Sequence, residues 1–74
     1  MTWVVRVSDD ETCNIFTEKK FESWEKAKEY IEKAVKVLEK RGYHAEKESN
    51  EFYVMVSNKN PLLRINILAF EIIE

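Results

Sequence analysis

Few residues in this sequence could carry chemistry, and the first to consider are Cys13 and His44. Each is the only residue of its type in the chain. An imidazole that takes the proton of a thiol makes a nucleophile, so the two could act together if neighbouring strands bring them into contact. The sequence supports this pairing only by containing both residue types, since their spacing does not bring them together. We expect Cys13 to be a small hydrophobic residue in a strand and His44 to lie on a solvated edge.

A better-spaced set is His44, Glu46 and Glu48. Alternate residues of a strand project from the same sheet face, about 6.5–7 Å apart, so two of these side chains could hold a divalent metal. One imidazole and two carboxylates on a flat strand, without a second histidine or a pocket, are more typical of a polar outward face. We therefore expect no metal and no cofactor.

The remaining catalytic and ligand-binding patterns are missing from the sequence. The acidic run Asp9, Asp10 and Glu11 lacks the alternating ligands and the central glycine of a calcium loop and indicates a hairpin turn. The chain has one glycine, which excludes a glycine-rich phosphate loop, and no paired carboxylates lie in a recognisably apolar pocket. The sequence predicts a protein that is not an enzyme.

Composition bounds the class of protein. The chain has 74 residues, of which 45% are hydrophobic and 35% charged, and its 12 basic and 14 acidic side chains give a net charge of -2. This length predicts a single domain, residues 1–74, because so short a chain buries only about 60% of its surface. The near-neutral charge and the basic residues scattered among acids disfavour nucleic-acid binding.

Cysteine content and apolar runs suggest where the protein resides. With one cysteine no internal disulfide can form, which favours a reducing compartment. The longest apolar runs, residues 3–5 and 67–70, are far shorter than the roughly 20 residues that cross a bilayer. No basic segment precedes an apolar run at the start of the chain. We expect a soluble, cytoplasmic protein with no membrane partner.

The side chains above must be positioned by one helix and several strands. The helix is predicted from residue 24, and its apolar stripe recurs at spacings of three and four: Trp24, Ala27, Ile31, Ala34, Val35 and Leu38. Ser23 is suited to cap its N-terminus, and Gly42 can adopt the left-handed conformation that closes a helix. The exposed side carries Glu–Lys pairs four residues apart and shows no functional pattern.

The remaining segments have β-strand patterns. The predicted strands cover residues 2–8, 13–17, 43–48, 52–57 and 62–73, with turns at 9–11, 49–51 and 58–61. The order is β-β-α-β-β-β. Short connections favour an antiparallel sheet with the single helix across one face, which is a two-layer α+β sandwich.

The sheet carries more apolar residues than one covered face requires. Phe52, Val54 and Val56 alternate with Tyr53 and Met55, so this strand is apolar on both faces. In the last strand the apolar residues change parity after Ile67 and continue as Leu68, Phe70 and Ile72. Either a bulge turns the strand so that all of them enter one core, or its C-terminal half is apolar on the second face.

If the second face is apolar, it is a surface for a partner. The predicted partner-binding residues are Val4, Tyr53, Met55, Leu68 and Phe70, because large apolar and aromatic side chains dominate interface energetics. The partner would be another protein or a second copy of this chain.

Three functional classes follow from these patterns. The first is a small non-enzymatic protein-interaction module, of the kind seen in inhibitors, immunity proteins and viral accessory proteins, acting through an apolar sheet face. The second is an artificial, designed sequence with no natural activity, because caps, pattern and turns agree with one another. The third is a weak nucleic-acid-binding module, which the charge balance disfavours.

Overall fold

A computed structural model describes residues 1–73 of the chain as one helix and five strands. The elements, in chain order, are β1 (Thr2–Asp9), β2 (Ile15–Phe21), α1 (Trp24–Lys40), β3 (Tyr43–Glu48), β4 (Phe52–Ser57) and β5 (Arg64–Ile72). This is the predicted order β-β-α-β-β-β.

The five strands form one antiparallel sheet in the order β2-β1-β5-β4-β3. The last strand of the chain is therefore the central strand of the sheet, between β1 and β4, and β2 and β3 are its edges. The helix packs on one face only, which confirms the predicted α+β sandwich of one helix on an antiparallel sheet.

Helix α1 begins and ends where its capping residues predict. Ser23 has extended backbone angles, and its hydroxyl accepts a hydrogen bond from the backbone N–H of Lys26 at 3.4 Å, which satisfies one of the free first-turn donors. Gly42 follows the helix with φ of 91°, a conformation that side chains with a Cβ rarely adopt. These local signals fix the helix at residues 24–40.

The core lies between α1 and the sheet. Ile31 and Ala27 are the buried residues of the helix, 2% and 0% exposed. They pack in one cluster with buried side chains from three strands: Val5 and Val7 of β1, Met55 of β4, and Ile67 and Ala69 of β5. At the N-terminal end of the helix, the Trp3 and Trp24 rings lie 4.7 Å apart between centroids. The apolar stripe read from the sequence is thus the face that α1 buries.

Strand β5 runs without the bulge that was one explanation of its apolar pattern. It pairs with β1 in continuous register from Thr2↔Ile72 to Asp9↔Ile65, and it pairs with β4 in continuous register as well. Register shifts occur instead at the two edge strands, where Phe16 of β2 and Glu46 of β3 are extra residues. The C-terminal half of β5 is therefore apolar on the face away from the helix.

The strand predicted to start at Cys13 starts at Ile15 instead. Cys13 is exposed in the loop between β1 and β2, with φ of 61°, and its N–H donates to the Asp9 carbonyl at 2.9 Å. The prediction that Cys13 is a hydrophobic strand residue is wrong, because the connection between β1 and β2, residues 10–14, reverses the chain with a left-handed residue at Cys13. Within residues 1–73, no helix has the length and apolar character that crossing a bilayer requires.

Candidate functional site

The candidate site is the sheet face opposite α1, called the open face below. Directly opposed residues of antiparallel strands share a face, so the register assigns its members. On the three inner strands they include Val4 and Arg6 of β1, Phe52, Val54 and Val56 of β4, and Arg64, Asn66, Leu68, Phe70 and Ile72 of β5. No helix or strand of residues 1–73 packs on this face, since α1 lies on the other.

Leu68 occupies the middle of the open face. It lies on the central strand, opposite Arg6 on one side and Phe52 on the other, and it is 38% exposed. Ile72 is 37% exposed farther along the same strand, with the half-buried Phe70 between them. The central strand of the sheet therefore exposes a row of apolar side chains to solvent. Covering this row would stabilise the domain.

Arg6 borders this row on the β1 side. Its guanidinium carbon lies 5.1 Å from the centre of the Phe70 ring, within the range of a cation–π contact. Its Nε donates to the Glu18 carboxylate of β2 at 2.8 Å. The arginine is thus fixed by an ion pair on one side and an aromatic ring on the other, and Val4 beneath these side chains is only 1% exposed.

Arg64 borders the row on the β4 side. Its Nη2 donates to Glu46 Oε2 of β3 at 2.8 Å, and because β4 lies between β5 and β3, this ion pair must pass over β4. Val54 and Val56, the open-face residues of β4, are 6% and 3% exposed. The pair explains how these valines are buried on a face that carries no helix.

Asn66 is the polar residue within the apolar part of the face. Its Nδ2 donates to Asp10 Oδ1 at 2.9 Å, which ties the centre of β5 to the loop after β1. Its Oδ1 is buried and accepts no hydrogen bond. A buried acceptor without a donor costs free energy, so Asn66 Oδ1 lowers the stability of this part of the sheet.

The structure separates the predicted partner-binding residues into two groups. Val4, Leu68 and Phe70 lie on the open face as predicted. Tyr53 and Met55 do not: they oppose Ile67 and Ile65, face α1, and Met55 is 0% exposed in the core. Their placement on the open face was wrong, because both faces of β4 are apolar and the sequence pattern alone does not say which one the helix covers.

Cys13 and His44 do not meet. Cys13 lies in the loop before β2 and His44 in β3, and these strands are opposite edges of the sheet. His44 Nδ1 instead forms a hydrogen bond with the side chain of Asn58. The geometry rules out a Cys/His nucleophile within this fold.

The bulge in β3 disperses the predicted metal set. His44 opposes Val56 and Glu46 reaches Arg64, so both lie on the open face. Because Glu46 is an extra residue, Glu48 opposes Tyr53 on the helix face. Among residues 1–73, no three His, Cys, Asp or Glu side chains cluster closely enough to hold a metal ion.

Among residues 1–73, the pKa values of Tyr53 and Asp9 are shifted. Burial raises the pKa of the Tyr53 hydroxyl, and the Glu48 and Glu32 carboxylates raise it further. Hydrogen bonds from the Thr12 side chain and backbone lower the pKa of Asp9 in the β1–β2 loop. Burial and nearby carboxylates thus account for the pKa shift of Tyr53, and hydrogen bonds within the β1–β2 loop account for that of Asp9.

Sequence reasoning missed Phe52, Ile72, Arg6 and Arg64 as members of the site. Phe52 alternates with Val54, and Ile72 with Phe70. Both could have been found once it was known which residues of β5 lie on the open face. The two arginines gave no such signal, because each acts through a partner on another strand, Glu18 or Glu46.

Comparison with known proteins returned no match: no family model, no curated protein and no solved structure is significantly similar to this chain.

Proposed function

We propose that this chain is a small non-enzymatic protein-interaction module whose contact surface is the open face. The observation that carries the proposal is the apolar row of the central strand, with Leu68 38% and Ile72 37% exposed in the part of the sheet farthest from its edges. An apolar residue in the middle of a sheet face is where a partner excludes water most completely.

The border of the face supports the same proposal. Protein interfaces combine an apolar, aromatic centre with a polar rim, and arginine and aromatic residues are enriched in them. Here Phe70 and Leu68 are flanked by the ion pairs Arg6–Glu18 and Arg64–Glu46. Each pair is still about two-fifths exposed or slightly less, so its charged atoms remain available to polar groups of a partner.

The sheet edges are poorly suited to the alternative of adding a strand from a partner. Each edge strand contains a bulge, Phe16 in β2 and Glu46 in β3, and a run of charged residues. Bulges and charges at edges are features that prevent strand pairing between molecules. A partner would therefore contact the face and not the edge.

The proposal is tested by comparing Leu68→Lys with the wild-type chain. We expect the wild type to self-associate in sedimentation velocity, or to retain one stoichiometric protein in native mass spectrometry after capture from a lysate. Placing a charge at the centre of the face should weaken either complex by more than about 2 kcal/mol.

The matched control is Lys28→Glu, which changes an exposed residue of α1 on the opposite side of the molecule. This variant should bind as the wild type does. If Leu68→Lys retains the complex, or if the wild type forms none, the open face is not the contact surface, and the interpretation as an artificial sequence without activity gains support.

A further inference from the structure

Helix α1 covers one corner of its own sheet face only in part. It starts against β1, where Trp24 packs on Trp3, and leads directly into β3 at the far edge of the sheet. On this path the helix passes over β1, β5, β4 and β3, so the β1–β2 corner is covered only in part: Val7 is buried, but Thr17 is half-buried. Between that corner and the side of the helix lies a groove, which is separate from the open face.

The groove has a volume of about 290 Å³. Its walls are Val7 and Thr17 of the sheet and Tyr30, Lys33, Ala34, Val37 and Leu38 of the helix. Val37, an apolar helix residue outside the stripe described above, is 48% exposed. This volume lies near the lower end of the range of small-molecule sites, about 300–1,000 Å³, so the groove is of a size for one unbranched alkyl chain.

A pair of hydroxyl groups supplies a hydrogen-bond donor in this groove. Thr17 Oγ1 and Tyr30 Oη lie 3.1 Å apart in a partly buried position. Whichever hydroxyl donates to the other, the second keeps its own proton free to donate. The hydroxyl pair therefore has one O–H that can donate a hydrogen bond to an acceptor atom of a ligand.

Basic side chains surround the same end of the groove. A second depression, lined by Phe21, Lys26, Glu29, Tyr30 and Lys33, continues from the first and shares Tyr30 and Lys33 with it. The Lys19 ammonium lies 5.3 Å from the centre of the Tyr30 ring. Tyr30 thus marks the boundary between an apolar groove and a group of lysines.

The acidic side chains nearby do not neutralise these lysines firmly. Lys33 lies 3.7 Å from Glu29 and Lys26 lies 3.9 Å from Glu22, and all four side chains are at least 65% exposed. Exposed pairs at such distances contribute little free energy and exchange readily for another anion. Within residues 1–73, the Lys19 ammonium has the Tyr30 ring as its neighbour and no carboxylate at ion-pair distance.

We propose that this groove binds a free single-chain carboxylate of medium length, a fatty acid of about ten carbons. Its alkyl chain lies against Val7, Ala34, Val37 and Leu38, and burial of its methylene groups drives binding. Its carboxylate lies near Tyr30, accepts the free O–H of the hydroxyl pair and faces the ammonium groups of Lys19 and Lys33. The site is independent of the function proposed for the open face.

The test is titration of the full chain with sodium decanoate, followed by amide and methyl NMR shifts and by calorimetry. We expect saturable binding of one molecule per chain below the concentration at which decanoate forms micelles. The largest shifts should be those of Val37, Ala34 and Tyr30, with Leu68 unchanged. Decyltrimethylammonium and decanol should bind at least about tenfold more weakly, because they lack the negative charge that the lysines attract.

Three variants distinguish the parts of the site. Ala34→Phe fills the apolar groove and should abolish binding. Val37→Glu changes an exposed wall residue, so it should fold even if Ala34→Phe does not, and it should also abolish binding. The double variant Lys19→Glu/Lys33→Glu should weaken decanoate about tenfold or more, whereas Lys28→Glu on the other side of the helix should not change it.

The proposal is overturned by any of three results. One is that decanoate does not bind. Another is that shifts map to Leu68 and Phe70 and not to Val37, which would assign the ligand to the open face. The third is that the cationic or neutral amphiphile binds as tightly as decanoate, which would show that the lysines near Tyr30 do not select the headgroup.

Discussion

Arg64 and Glu46 form a 2.8 Å ion pair between strands that are not neighbours. The pair spans β4, and Val56 beneath it is 3% exposed. A sheet face without a helix is thereby partly covered by its own charged side chains, since long side chains shield apolar neighbours with their methylene groups. The bulge at Glu46 acts on the residues that follow it: Lys47 opposes Val54 on the open face, next to Glu46, and Glu48 lies on the helix face.

A double-mutant cycle on Arg64→Ala and Glu46→Ala should find a weak coupling. The side chains are 39% and 43% exposed, and exposed pairs contribute about 0–1 kcal/mol. We expect the coupling to fall further in high salt, while each single variant also exposes part of β4. Urea unfolding of the four proteins measures it, and a coupling well above 1 kcal/mol would mean that the pair is shielded from solvent.

Ile31→Ala should destabilise the fold by about 2–5 kcal/mol, because it leaves a cavity in a small core. Ile31 is 2% exposed and packs between α1 and the sheet. The urea midpoint should fall by a corresponding amount. Val37→Ala on the same helix should cost less than about 1 kcal/mol, since Val37 is 48% exposed.

Met55→Lys should destabilise the fold far more than Leu68→Lys, although both residues were assigned to one surface from the sequence. Met55 is 0% exposed, so a lysine there buries an unpaired charge and should cost more than about 4 kcal/mol. Leu68 is 38% exposed, so its replacement should change the free energy of unfolding by less than about 1 kcal/mol. Thermal melts compare them, and similar losses would contradict the assignment of β4 and β5 faces.

Cys13→Gly should stabilise the chain by about 1 kcal/mol, since glycine adopts the left-handed conformation without the steric cost of a Cβ. Cys13 is exposed with φ of 61°. Cys13→Ala keeps the Cβ and should be nearly neutral. The double variant Cys13→Ala/His44→Gln should retain the fold within about 1 kcal/mol, because both side chains are exposed. Urea unfolding measures the stability of these variants, and an activity of the wild type that the stable double variant loses would contradict the non-enzymatic proposal.

Tyr53 should make stability fall in alkaline solution. Its folded-state pKa is raised above the usual value near 10, first by burial and then by Glu48 and Glu32. The folded chain therefore holds this proton more tightly than the unfolded chain, so the contribution is complete below about pH 10 and is lost as pH rises through the folded-state pKa. Urea unfolding between neutral and alkaline pH should show a smaller decline for Tyr53→Phe than for the wild type.

The helix, the strands and their order follow from local signals in the sequence. Ser23 and Gly42 determine where α1 begins and ends, and the spacing of Ile31 and its neighbours determines which side is buried. These features depend on residues within a few positions of one another. For the same reason, the absence of a recognisable catalytic motif could be read directly from residue types and spacing.

The positions of individual side chains on the two sheet faces were decided by the tertiary structure. An alternating pattern defines two faces of β4 but not which of them α1 covers, so Met55 and Tyr53 were placed on the wrong one. The central position of β5 and the ion pair Arg64–Glu46 depend on strands far apart in the chain. Only long-range pairing fixes them, because the free energy that selects one strand order comes from packing the whole sheet against the helix and not from any single segment.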